Sequence, residues 1–239
     1  MIDFRILYDH PISKPCSLWE KCDSHCCTIG RLLQPHDPDT HLVALPIPEV
    51  EFDYLRSLGA PGDQWPETPR KMEVALEGYT LRFYMQPCLL GGACNSDWRP
   101  SICRIYPYFP LLDDDFKISA LMKATALDLV WDSHDGEDPC LMRAPEESKR
   151  HVELMVDLID KLKQDRANHE LLLWLNLAFR YVEAFKAFYE DSLPRDRELS
   201  LDELVENLYY CNKTQLFLAD PEVQAKMNGE VERYRRWGA

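Results

Sequence analysis

The chain has 239 residues, with 27 Lys and Arg against 41 Asp and Glu, and a formal charge of −14. That length holds one ordinary domain, or one with an appendage, and a chain 46% hydrophobic and 28% charged is globular rather than disordered. The acidity argues against a general nucleic-acid binder, because phosphate affinity rests on clustered Lys and Arg, and against docking on an anionic membrane. No stretch approaches the ~18 consecutive apolar residues that spanning a bilayer needs; the longest greasy run, 171–179, is interrupted by Asn176. The opening Met1-Ile2-Asp3-Phe4-Arg5 has no charged region leading into an apolar core, so a cytoplasmic setting is expected, without membrane or nucleic-acid partners.

Residues 41–47 alternate and branch like a short strand that Pro46 and Pro48 end. Val50, Tyr54, Leu55 and Leu58 then fall at helical spacing over 49–58. The proline-rich stretch 59–69 is a loop. Residues 71–85 read as a hairpin: Met72, Val74 and Leu76 alternate, Glu77-Gly78 turns, and 80–84 returns. The triple Asp113-Asp114-Asp115 lacks the glycine and distal Glu of a calcium loop, so it is a solvated turn leading into a strand at 116–121.

From Pro145 the composition changes. Val152, Met155, Ile159 and Leu162 form one stripe of a helix over 146–164, and a second, over 170–188, carries Leu172, Leu175, Phe179, Val182 and Phe185. Ser200-Leu201-Asp202-Glu203 has the form of a capping box and opens a third helix through Tyr209. Asp220-Pro221 starts a fourth that reaches about Trp237. The expected class is α+β: a small mixed cysteine-rich domain with short strands over 1–144, and a C-terminal helical bundle, 145–239, packed on it.

The cysteines carry the functional signal. Seven of the nine fall in two bursts, Cys16, Cys22, Cys26, Cys27 and then Cys88, Cys94, Cys103, with none in between, while Cys140 and Cys211 stand apart. Core cysteines would be scattered, and disulfides need an oxidising compartment. Tight clusters suit a metal, since zinc or iron takes about four soft thiolates around one point. Gly91-Gly92 lets the chain between Cys88 and Cys94 fold back tightly. Arg99 and Arg104 flank Cys103, and as cations they would offset the −2 charge that four thiolates leave on one divalent ion, which makes them candidate cofactor-binding residues. His25 lies inside the first burst, with His10, His36 and His41 flanking it; Cys211, in an apolar helix, reads as an inert core thiol. No glycine-rich phosphate loop, G-x-S-x-G or H-E-x-x-H occurs.

These residues resemble the cysteine-cluster family described as a zinc- or iron-chelating domain with a C-x-x-C-x-x-C-C motif. Its opening string corresponds to Cys16, Cys22, Cys26 and Cys27, spaced here by five and three residues where the pattern has two and two. Its middle segment corresponds to 42–49, and its return to Cys88, Cys94 and the run Arg99-Pro100-Ser101-Ile102-Cys103-Arg104-Ile105-Tyr106-Pro107. Pro139-Cys140 matches a later cysteine beside a proline. The resemblance spans roughly residues 14 to 142 and implies metal or iron–sulfur binding. A weaker similarity to a flagellin lysine methylase keeps an enzyme in view.

The candidate metal ligands are therefore Cys16, Cys22, Cys26, Cys27, Cys88, Cys94, Cys103 and Cys140. Eight thiolates are enough for two tetrahedral ions or for two clusters, and a single [4Fe–4S] cluster with spare thiols also fits. The expected function is binding of an iron–sulfur cluster or zinc. The alternatives are an iron–sulfur enzyme that modifies a protein or peptide, and a zinc-stabilised module whose acidic surface meets a basic protein partner.

Overall fold

A computed structural model describes residues 2–13, 44–59, 69–87, 99–106, 108–123 and 145–237. They form a mixed α+β structure: small antiparallel sheets precede a helical C-terminal region. Helix α1 (Phe4–Tyr8) and a 3-10 turn (Pro11–Ser13) come first, then strand β1 (Ala44–Pro48) and helix α2 (Glu49–Ser57). Strands β2 (Arg70–Leu76) and β3 (Tyr79–Pro87) follow, then the short helix α3 (Ser101–Ile105) and the hairpin β4 (Tyr108–Leu112) and β5 (Ile118–Lys123). Helices α4 (Pro145–Leu162), α5 (His169–Ser192), α6 (Leu201–Thr214) and α7 (Pro221–Trp237) complete the order.

Strand β3 is the centre of the first sheet, with β1 and β2 antiparallel on either side. The expected hairpin is present, with Leu76 opposite Tyr79 and Gly78 at φ +64°. Glycine suits the left-handed backbone there, and the Arg235 guanidinium of α7 lies beside it, donating to the Glu77 carbonyl. Strand β1 starts at Ala44, runs through Pro46 and ends at Pro48 as expected; residues 41–43 lie outside the described residues. A proline is tolerated because β1 pairs on one side only, along β3.

Helix α2 turns a different face inward from the one its apolar spacing predicts. Val50 and Leu58 are exposed, at 37% and 46%, while Phe52 stacks on Tyr84 at 4.2 Å and Leu55 closes over Ile47. The third buried residue of α2 is Glu51. Phe116 also departs from expectation. It sits in the turn at φ +60°, with its ring against Trp237 at 4.5 Å and His169 at 4.9 Å, and the strand begins two residues later. Asp113 holds this turn by accepting the Asp115 and Lys117 amides, and Asp114 pairs with Arg233 and Arg236 of α7. The solvated acidic turn is thus also an anchor point.

The four expected helices are present. Glu203 and Ser200 make the reciprocal bonds of the capping box, and α6 runs on to Thr214, where Gln215 turns left-handed. Helix α5 is the pillar: its run from Leu171 to Phe179 is buried all round, because α6 and α7 cover it on one side and the sheets on the other. Phe83 of the central strand meets Trp174 and Tyr181, and Leu112 of β4 meets Asn176. A single buried cluster therefore contains side chains from both sides of position 145, from Phe4 and Phe83 to Met155 and Val231. Burial of this kind contributes roughly 25 cal/mol per Å² of apolar surface. No helix among the described residues is long and apolar enough to cross a membrane.

Candidate metal centre

Of the eight candidate ligands, Cys103 lies among the described residues; Cys16, Cys22, Cys26, Cys27, Cys88, Cys94 and Cys140 lie outside them, as do His25, His36 and His41. Pro100 sets the start of α3: its φ of −60° delivers an extended residue at the cap, and its carbonyl accepts the Cys103 and Arg104 amides at 2.9 and 3.2 Å. The Cys103 side chain is half-buried at the margin of the main core.

The helix that carries Cys103 is held by a buried carboxylate. Both oxygens of Glu51 reach the first residue of α3: the Ser101 amide donates to Oε1 at 2.7 Å and the Ser101 hydroxyl to Oε2 at 2.6 Å. Tyr8 of α1 donates its hydroxyl to Oε1, also at 2.7 Å. Arg104 lays its guanidinium over the Tyr8 ring, 4.0 Å from the centroid, and its Nε donates to the Arg99 carbonyl. Glu51 is 0% exposed and Arg104 1%. Glu51 thus takes its hydrogen bonds from Ser101 and Tyr8, and the Arg104 charge bears on it electrostatically in a setting where either charge alone would be costly.

Burial pushes the Glu51 carboxyl up, while the Ser101 and Tyr8 donors and the Arg104 charge pull it back. Burial likewise lowers Arg104, and the neighbouring Tyr8, Glu51 and Cys103 oppose that shift. Arg104 is thus electrostatically coupled to Cys103, as its place in the sequence suggests, and is also committed to an interior partner. Arg99 is half-buried; its charge bears on Arg104 and on His151, whose imidazole contacts the Ile105 carbonyl at 2.9 Å.

His10 serves the fold. Its Nδ1 accepts the Ile12 amide at 3.2 Å, which leaves Nε2 as the donor to Asp157 at 2.9 Å and fixes the 3-10 turn before the first burst. Cys211 is fully buried in the helical core, 3.6 Å from the Ser192 hydroxyl, and burial pushes its thiol up.

Elements that flank the three cysteine-bearing stretches contact α3 or the residues beside it. The first stretch, 14–43, leaves from the 3-10 turn Pro11–Ser13 and rejoins at β1, and both of these elements pack against α3. The second, 88–98, leaves from Pro87, which pairs with Ala44 at the start of β1, and rejoins at Arg99, directly before α3. The third, 124–144, leaves from Lys123, paired with Tyr108 just after α3. It rejoins at α4, whose Ser148 bonds the Tyr108 hydroxyl at 2.8 Å and whose His151 reaches Ile105. Each stretch is therefore flanked by at least one element that touches α3 or the residues directly beside it.

Among the described residues no group of three His, Cys, Asp or Glu side chains is arranged to hold a metal ion. Glu51 and its hydrogen-bond partners Tyr8 and Ser101, which meet at the start of the helix of Cys103, are the residues that the sequence reading missed. A signal exists for Glu51: it lies four residues before Leu55, on the buried stripe. Protein-family models, curated proteins and solved structures were all compared with the chain, and none matches it.

Four tyrosines give this interior a pH signature. Burial raises Tyr8, with Glu51 adding to it, and burial also raises Tyr79, Tyr181 and Tyr189, the last to about 12. A group held protonated by the fold contributes stability that is intact below its ordinary pKa near 10 and is lost as pH rises towards the folded value. In an alkaline titration followed by tyrosinate absorbance, these four should ionise only as the far-UV signal collapses. Complete ionisation of every tyrosine with the helical signal intact would contradict this packing.

Proposed function

We propose that this protein binds an iron–sulfur cluster or zinc through thiolates of the two cysteine bursts, with Cys16, Cys22, Cys26, Cys27, Cys88, Cys94, Cys103 and Cys140 as the candidate pool. The observation that carries the reading is that elements flanking each cysteine-bearing stretch contact the helix of Cys103 or the residues beside it. Thiolates far apart in sequence can share an ion only if the fold returns their stretches to one place, and these flanking contacts support such a return. The sulfur-only donor set suits both zinc and iron and disfavours magnesium or calcium, which take oxygen. The motif around Cys103, R-P-x-x-C-R-x-Y-P, and its resemblance to the chelating family support the same reading.

Anaerobic purification with metal and acid-labile sulfide analysis tests it. A brown protein with a visible charge-transfer band and matching iron and sulfide would identify a cluster. A colourless protein that holds zinc and loses its fold with chelator would identify a structural site, because such binding is coupled to folding. Protein purified without either metal, and unable to take one up when reduced, would overturn the proposal.

A further inference from the structure

We propose that Glu51 is a positioning residue for the metal site, a buried clamp that joins residues flanking the cysteine-bearing stretches to the helix of Cys103 before any metal enters. The inference rests on the metal-binding reading and adds to it a role for residues that carry no ligand atom.

The residues that meet at Glu51 come from separate places around those stretches. Tyr8 precedes the first, Glu51 follows it, and Ser101 and Arg104 follow the second. One carboxylate therefore ties the flanks of both bursts together. It does so through three short donor contacts in a place that water does not reach, where hydrogen bonds are stronger than in solvent. The arrangement is costly in isolation. A buried carboxylate and a buried guanidinium oppose folding unless their geometry is closely satisfied, and an apolar pair of equal volume would stabilise the fold at least as well. What the ionic version supplies is direction: Glu51 fixes where α3 begins and Arg104 fixes its roll against Tyr8, so the Cys103 side chain leaves the helix at a set angle. Supports of this kind, one step removed from the ligands, govern how well a thiolate set is preorganised.

The test uses reduced full-length protein under anaerobic conditions, with Co²⁺ alone as the probe and its thiolate charge-transfer band as the readout. Amide hydrogen exchange at Cys103 and Arg104 is measured on the same samples. Glu51→Gln keeps the volume but removes the charge and places an amide against one of the donors; Tyr8→Phe removes one hydroxyl and leaves the ring under Arg104. Glu51→Gln should weaken Co²⁺ binding roughly tenfold or more and speed exchange at the α3 amides. Tyr8→Phe should do the same to a smaller degree, and it decides the matter if Glu51→Gln fails to fold. Leu208→Ala, in the core of the helical half, should lower the melting temperature and leave both readouts unchanged.

Wild-type Co²⁺ affinity and wild-type exchange in the Glu51 and Tyr8 variants would overturn the clamp, and so would an equal loss of affinity in Leu208→Ala. If the wild type itself takes up no Co²⁺, the metal reading falls on its own, and the exchange rates in Glu51→Gln still decide whether the clamp holds α3.

Discussion

Cys103→Ser should abolish metal loading while Cys211→Ser leaves it essentially unchanged. Cys103 is half-buried on the short helix that contacts elements flanking the cysteine-bearing stretches, and it lies beside Arg104. A serine hydroxyl there is a hard, protonated oxygen that soft metals bind poorly. Cys211 is fully enclosed by the helical core and next to Ser192. Its thiol packs as a small apolar group, so the serine costs packing and hydration energy but no ligand. Metal-to-protein ratios from the two variants, purified side by side, check this. Equal ratios would mean that Cys103 is not a ligand.

Glu230→Ala should destabilise the fold by about 3 kcal/mol. Glu230 is 2% exposed and joins three elements. Arg180 of α5 donates to one oxygen at 2.9 Å, and Asn176 of α5 and Arg233 of α7 donate to the other at 2.9 and 2.6 Å. Asn176 and Arg233 also hold the Leu112 carbonyl of β4, and the Leu112 amide donates back to Asn176 at 2.7 Å. Removing the carboxylate leaves two guanidinium groups without their shared partner. They are 18% and 24% exposed and can rehydrate in part, which sets the figure at the lower end of the range for breaking a buried pair. Urea unfolding should show the loss with an unchanged denaturant slope, while metal loading of the folded variant stays as in the wild type. A loss below about 1 kcal/mol would place this network among ordinary surface pairs.

What could be read from the sequence follows from how local each cause is. The Glu77-Gly78 hairpin and the capping box at Ser200 were legible because a few adjacent residues determine them. The amphipathic helices of the second half were legible for a similar reason, since their stripes repeat over many turns. Helix α5 also shows the limit of that argument: its buried run has no polar face to orient, so nothing in its pattern says that both sheets pack against it. Helix α2 misled because its inward face includes a carboxylate. Pattern rules assign acidic residues to solvent, and only the approach of Ser101 and Tyr8 from distant positions makes Glu51 an interior residue. The same applies to Arg104, read as a cation beside a thiolate and found with a second commitment to Tyr8 and the Arg99 carbonyl. Clustering of the cysteines was visible at once, but the contacts that elements flanking their stretches make with α3 and its neighbours are a property of strand pairing and packing that spacing does not encode.

Differential alkylation tests most directly the proposal that sulfurs from both bursts share inorganic ions. Protein purified with its metal is treated with a thiol reagent, before and after graded addition of a chelator, and each cysteine is quantified by peptide mass spectrometry. The account predicts that cysteines of stretch 14–43 and those of 88–103 are protected together and become reactive together as metal leaves, with Cys211 following only global unfolding. Release of one burst at chelator concentrations that leave the other fully protected, or labelling of both in the metal-loaded protein, would contradict it.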